Sequence, residues 1–88
     1  MNNKRKYWVT YHGITIYLKN GRVLYQKKFR TKAKMLRIFS FFAKTVNWKD
    51  VAQVYCSSTY YNHGQFKQHD LNVYFDYPNK IIVEQFVS

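Results

Sequence analysis

The apolar spacing of this 88-residue chain changes period twice, and that switch constrains the fold more than any single motif. Between residues 14 and 29 apolar and polar positions largely alternate. Over 31–46 the apolar residues recur every three or four positions, and beyond residue 54 alternation returns. Alternation puts successive side chains on opposite faces of a strand, whereas the longer period gathers them on one side of a helix. The expected architecture is therefore α+β: one antiparallel sheet of about four to five strands, chain order ββαβββ, with one amphipathic helix on one face. The other face is left to solvent or a partner.

Asn20-Gly21 lies between the first two alternating runs and reads as a two-residue type I′ turn, which needs positive φ at both central residues. That geometry pairs Leu18 with Val23, Tyr17 with Leu24, Ile16 with Tyr25 and Ile14 with Lys27. Ile14, Ile16, Leu18, Val23, Tyr25 and Phe29 then share the expected core side. The opposite side shows Thr15, Tyr17, Lys19, Arg22, Leu24, Gln26 and Lys28. Upstream, Tyr7 to Tyr11 reads as strand, with Gly13 a bulge or a break.

Thr31 to Val46 reads as the helix. Met35, Leu36, Ile38, Phe39, Phe42, Ala43 and Val46 fall within an arc of about 160°, wide enough to cover a sheet. Thr31 is the expected N-cap, but Lys34 stands where a capping box has Glu or Gln. Lys32 and Lys34 thus put cations at the positive end of the helix dipole, each unfavourable by about 0.3–1 kcal/mol. An anion at the free N–H groups there removes the conflict. After the helix, Val54, Cys56, Ser58 and Tyr60 alternate with Tyr55, Ser57, Thr59 and Tyr61. Asn62-His63-Gly64-Gln65 is a turn; Leu71, Val73, Phe75 and Tyr77 form a period-two run, ended by Pro78-Asn79. Ile81 to Val87 is the last strand, with Phe75 opposite Ile82 or Val83.

A chain this short makes one domain, 1–88, with residues 1–6 a flexible basic arm. Nine Tyr, seven Phe and two Trp supply the apolar area that a small core needs. The single cysteine, Cys56, excludes an intrachain disulfide framework and favours a reducing, cytoplasmic setting. The aromatic, polar stretch Tyr7-Trp8-Val9-Thr10-Tyr11-His12 argues against a secretory signal after Lys4-Arg5-Lys6, and no apolar run has the length of a membrane span. The excess of Phe, Tyr, Met, Ile, Asn and Lys favours AT-rich codons, as in a low-GC bacterium, its phages or other mobile elements.

Charge is the strongest functional signal. The first 49 residues hold 13 of the 15 Lys and Arg and no acid, whereas the last 39 hold all four acids, so the net +11 divides as +13 and −2. Mixed charges serve solubility as well as one sign does, so this segregation points to a polyanion. The expected contacts are Lys4, Arg5 and Lys6 in the arm, Lys19 and Arg22 at the hairpin tip, Lys27, Lys28 and Arg30 on the next strand and its end, and Lys32, Lys34, Arg37 and Lys44 on the helix. Phe41, set among these cations and away from the apolar arc, and Tyr17 on the hairpin are candidates to stack on bases.

The expectation is a non-catalytic nucleic-acid-binding protein, for DNA or RNA, that contacts phosphates without a cofactor or metal. One alternative is a module that docks its basic face on an acidic protein; another is a toxin-like ribonuclease using His63 or His69. Cys56, His63 and His69 match no paired metal-ligand spacing. An open sheet edge also permits a homodimer.

Overall fold

A computed structural model describes residues 10–76 and 79–87. The elements are β1 (Tyr11–Leu18), β2 (Val23–Phe29), α1 (Lys32–Thr45), β3 (Val51–Asn62), β4 (Gln65–Asp76) and β5 (Asn79–Val87). All five strands form one antiparallel sheet in the order β2-β1-β3-β4-β5, and the helix lies on one face across β1, β2 and β3. The fold is α+β with the chain order ββαβββ. The arm Lys4-Arg5-Lys6 and the expected strand Tyr7 to Val9 lie outside the described residues. No helix among those described is long and apolar enough to cross a membrane.

The core is the layer between helix and sheet. Ile14 and Ile16 from β1, Val51, Val54 and Cys56 from β3, and Val73 and Phe75 from β4 meet Met35 and Phe39 of α1, all of them buried. The rest of the apolar helical arc, Leu36, Ile38, Phe42, Ala43 and Val46, packs partly buried around them. Trp48 closes the far end, its ring centroid 5.5 Å from that of Phe75.

Thr31 caps the helix: its hydroxyl accepts the Lys34 N–H at 3.2 Å. Removing that acceptor leaves an N–H of the first turn to water alone, so Thr31→Ala is expected to cost about 1 kcal/mol in chemical denaturation.

The first hairpin turn differs from its sequence reading. Leu18 accepts from the Gly21 N–H at 2.9 Å, and the Leu18 N–H donates to Arg22 at 2.8 Å. The loop is thus Lys19-Asn20-Gly21, three residues long, and only Gly21 has positive φ, at 89°. Two bonds hold it: Asn20 Oδ1 accepts the Arg22 N–H at 2.9 Å, and the Lys19 N–H reaches the Asp50 carbonyl at 2.8 Å. The extra residue shifts the ladder, so Tyr17 faces Val23 rather than Leu24. Val23 consequently leaves the expected core and is 51% exposed. The turn with positive φ at both positions is the other one, His63 at 54° and Gly64 at 77°, joining Asn62 to Gln65.

Two further expectations are corrected. Gly13 is neither bulge nor break: it pairs regularly with Lys28 and Ser57, and the Tyr11 ring lies over it where a Cβ would stand. On the last hairpin, β5 begins at Asn79 opposite Asp76, so Phe75 faces Lys80, and Ile82 faces Val73.

The sheet face away from the helix is polar and internally bonded. Gln26 Nε2 donates to Thr15 Oγ1 at 3.4 Å, Ser57 Oγ to Asp70 Oδ1 at 2.6 Å, and Gln53 to the Asn72 side-chain oxygen. Thr15 and Ser57 on this face are buried.

Candidate nucleic-acid interface

The strand order converts charge segregation along the chain into segregation in space. Residues 10–49 build β2, β1 and the helix laid across β1, β2 and β3, and their charged side chains are all Lys or Arg. Beyond residue 50 the chain builds β3, β4 and β5, where Asp70, Asp76 and Glu84 stand with Lys67 and Lys80, while the fourth acid, Asp50, lies at the hairpin tip, its carbonyl accepting the Lys19 N–H.

On the helix, Lys34, Arg37, Phe41 and Lys44 fall within an arc of about 80° opposite the apolar stripe and run for about 15 Å along the axis. Lys34, Arg37 and Lys44 are exposed, and Phe41 is 60% exposed. Phe41 is held by an edge contact with Phe42 at 5.9 Å, and Phe42 is anchored on Tyr25 of β2 at 4.7 Å. An apolar ring thus stands at a fixed place among three cations. Lys27 extends the group on the same side of the sheet, since it pairs with core-facing Ile14. Exposed Arg30 joins β2 to the helix.

Other candidates lie elsewhere. Lys32 turns inward, its Nζ 4.8 Å from the centroid of the Tyr60 ring. The ring face stabilises the Lys32 cation and Thr31 takes one N–H of the first turn, while exposed Lys34 still stands at the positive end of the dipole. Its wheel angle, between those of Phe39 and Ala43, already places Lys32 in the apolar arc. Lys28 lies on the opposite sheet face, 5.7 Å from the centroid of Tyr11, and half-buried Tyr17 is on that face too. Tyr17 and Phe41 therefore do not share a stacking surface. Lys19 and Arg22 are exposed at the hairpin tip.

The tip borders a groove of about 520 Å³ between the first hairpin, the end of the helix and the segment leading to β3. Leu18, Leu24, Val46 and Val51 give it apolar walls, and Lys19 and Lys49 stand at it together. Lys49 was not among the residues expected at the interface. It follows the helix in a short connecting segment, which the pairing of Leu18 with Val51 and the bond from the Lys19 N–H to the Asp50 carbonyl bring to the hairpin.

The histidines occupy different environments. One row across the sheet on the helix side reads Phe29, His12, Ser58, His69 and Phe86 from β2 to β5. His12 Nδ1 lies 2.7 Å from Ser58 Oγ. His69 Nε2 lies 2.6 Å from Glu84 Oε2, and its ring stacks on Phe86 at 4.1 Å. Ser58 is fully buried, whereas His63 is exposed in its turn. Among the described residues no group of three His, Cys, Asp or Glu is placed to hold a metal ion. Burial pushes the Cys56 thiol up to about 12, which keeps it protonated.

Burial, with a smaller contribution from Lys32, lowers the pKa of His12 from its ordinary 6.5. The folded protein therefore holds His12 neutral where the unfolded chain has begun to protonate. That contribution to stability is complete above 6.5 and is lost as pH falls from there toward the lowered value. Melting temperature should drop across this range, and the drop should be smaller in His12→Gln.

No known protein family, curated protein or solved structure matches this chain.

Proposed function

We propose that this chain is a small, non-catalytic nucleic-acid-binding protein that holds phosphates along the outer face of α1 and the adjoining β2 edge. The observation that carries this reading is the outer face of α1, where Lys34, Arg37 and Lys44 flank exposed Phe41 with no acid on the helix, and exposed Lys27 stands on the adjoining edge strand. Cations along one helix and one edge strand neutralise successive phosphates, and an exposed ring stacks on a base or wedges between base steps. Lys19, Arg22 and Lys49 extend the cationic surface toward the hairpin tip. The Lys4-Arg5-Lys6 arm adds three further charges to the binding.

Binding to short DNA and RNA duplexes and single strands, measured by fluorescence anisotropy across a salt series, tests this. If about five phosphates are neutralised, log K falls against log[salt] with a slope steeper than about −3. Absence of binding to every oligonucleotide at low salt overturns the reading. A stable complex with an acidic protein that survives nuclease treatment would then assign the same flank to a protein partner.

A further inference from the structure

The two edges of the sheet are built differently. The β2 edge carries Lys27 and Lys28, and charged side chains of this kind discourage the addition of a further strand. The β5 edge is nine residues long, and α1 packs on β1, β2 and β3, with Lys80 bridging from β5 to the Ala43 carbonyl. Ile81, Ile82, Val83 and Phe86 are 50%, 64%, 42% and 66% exposed. Among the described residues β5 is paired on one side only, and a long strand with exposed apolar side chains and one free edge is a template for another strand.

We propose that β5 pairs antiparallel with β5 of a second copy about a two-fold axis at Ile82, joining two five-stranded sheets into one. Backbone phase permits this pairing. The two-residue loop closes on Asp76 and Asn79, and alternation from that hydrogen-bonded pair turns the N–H and C=O groups of Lys80, Ile82 and Glu84 toward the free edge. About six new backbone hydrogen bonds then form across the axis.

Side-chain charge fixes the register. With Ile82 opposite itself, Lys80 of each copy faces Glu84 of the other, and Ile81 faces Val83. An axis at Val83 would set Lys80 against Phe86 and Glu84 against Ile82, and an axis at Glu84 would set two carboxylates against each other. Opposite charges directly across a ladder are favourable and like charges are not. Both groups remain accessible: the Glu84 side chain is 50% exposed beside His69, and Lys80 is exposed with its Nζ 3.4 Å from the Ala43 carbonyl. The axis stands perpendicular to the sheet, so both helices lie on one face and both β2 edges lie outermost. The cationic flanks stay uncovered, which makes the pairing independent of the proposed nucleic-acid contact.

Light scattering on the full chain at high micromolar concentration is expected to give twice the 10.8 kDa chain mass. Ile82→Lys sets two cations on the axis at an exposed position and is expected to return the mass to that of one chain with the fold retained by circular dichroism. Cysteine coupling reads the register: a hydrogen-bonded pair on the axis has its Cα atoms about 5.5 Å apart, within disulfide range. Under mild oxidation Ile82→Cys should couple to its mate much faster than Val83→Cys, while Cys56, buried in the core, stays silent. A monomeric wild-type chain, masses that climb beyond the dimer, or faster coupling of Val83→Cys would each overturn the proposal.

Discussion

Reversing the charge of Lys34 and Arg37 together is expected to weaken oligonucleotide binding by about 30-fold near physiological salt, with a salt slope shallower by about 2. The reasoning is that each cation holding a phosphate displaces close to one condensed counterion, so losing two contacts removes two such factors and leaves the fold alone. Both side chains are exposed on the outer face of α1, and neither belongs to the core cluster. Lys67→Glu, on β4 opposite Tyr60 and outside the proposed contact set, is a control that changes net charge half as much, with an expected loss of about threefold or less. Fluorescence anisotropy at two salt concentrations distinguishes these outcomes. A loss per reversed charge as large in Lys67→Glu as in the double variant would mean that net charge, rather than this face, drives binding.

The largest effect on stability is expected from Phe39→Ala. Phe39 is 6% exposed and packs with Met35 in the core cluster formed with β1, β3 and β4, so truncation removes a ring and leaves a void that the surrounding β-structure fills only in part. Such changes cost about 3–5 kcal/mol, a large share of the total stability of a small domain. For a chain of this size the melting temperature should fall by about 15 °C or more. Phe41→Ala, three-fifths exposed on the other side of the same helix, should shift it little and should instead weaken binding to single strands. Opposite readouts from two neighbouring phenylalanines would separate the ring that holds the fold from the ring offered to a ligand.

The elements were readable where local period and tertiary burial agree. The helix shows this best: the seven residues of its apolar arc all face the sheet, and Thr31 caps it as its hydroxyl position suggested. Leu71, Val73 and Phe75 likewise sit on the core side of β4. The turns were harder because their type depends on distant partners. Asn20-Gly21 has the composition of one hairpin turn but adopts another, since the Lys19 N–H is held by Asp50, more than thirty residues away in sequence. His63 takes the positive φ expected of Asn20, although His at such a position is a weak sequence signal.

The candidate site was legible in charge and less so in direction. Charge counting identified the flank, but it treated Lys32 and Lys28 as equivalent to Lys34 and Arg37. Lys32 is drawn onto Tyr60, and Lys28 points through the other face of the sheet. Helical angle and strand parity carry that information, because both positions follow from counting to Phe39 and Ile14. Lys49 had no such signal, and neither did the pairing of β1 with β3, which sets β2 and β1 on one side of the sheet and β4 and β5 on the other.

The central claim is that the helix and β2 flank, rather than the whole cationic surface, meets the nucleic acid. Amide chemical-shift mapping tests it directly: the labelled protein is titrated with an unlabelled oligonucleotide, and shifts are followed residue by residue. The expected result is that perturbations concentrate on residues 27–44 and the hairpin tip, with the Phe41 ring protons among the most affected, while β4 and β5 stay near their free positions. Shifts spread evenly over the sheet, or centred on the polar face around Tyr55 and Asn72, would contradict it.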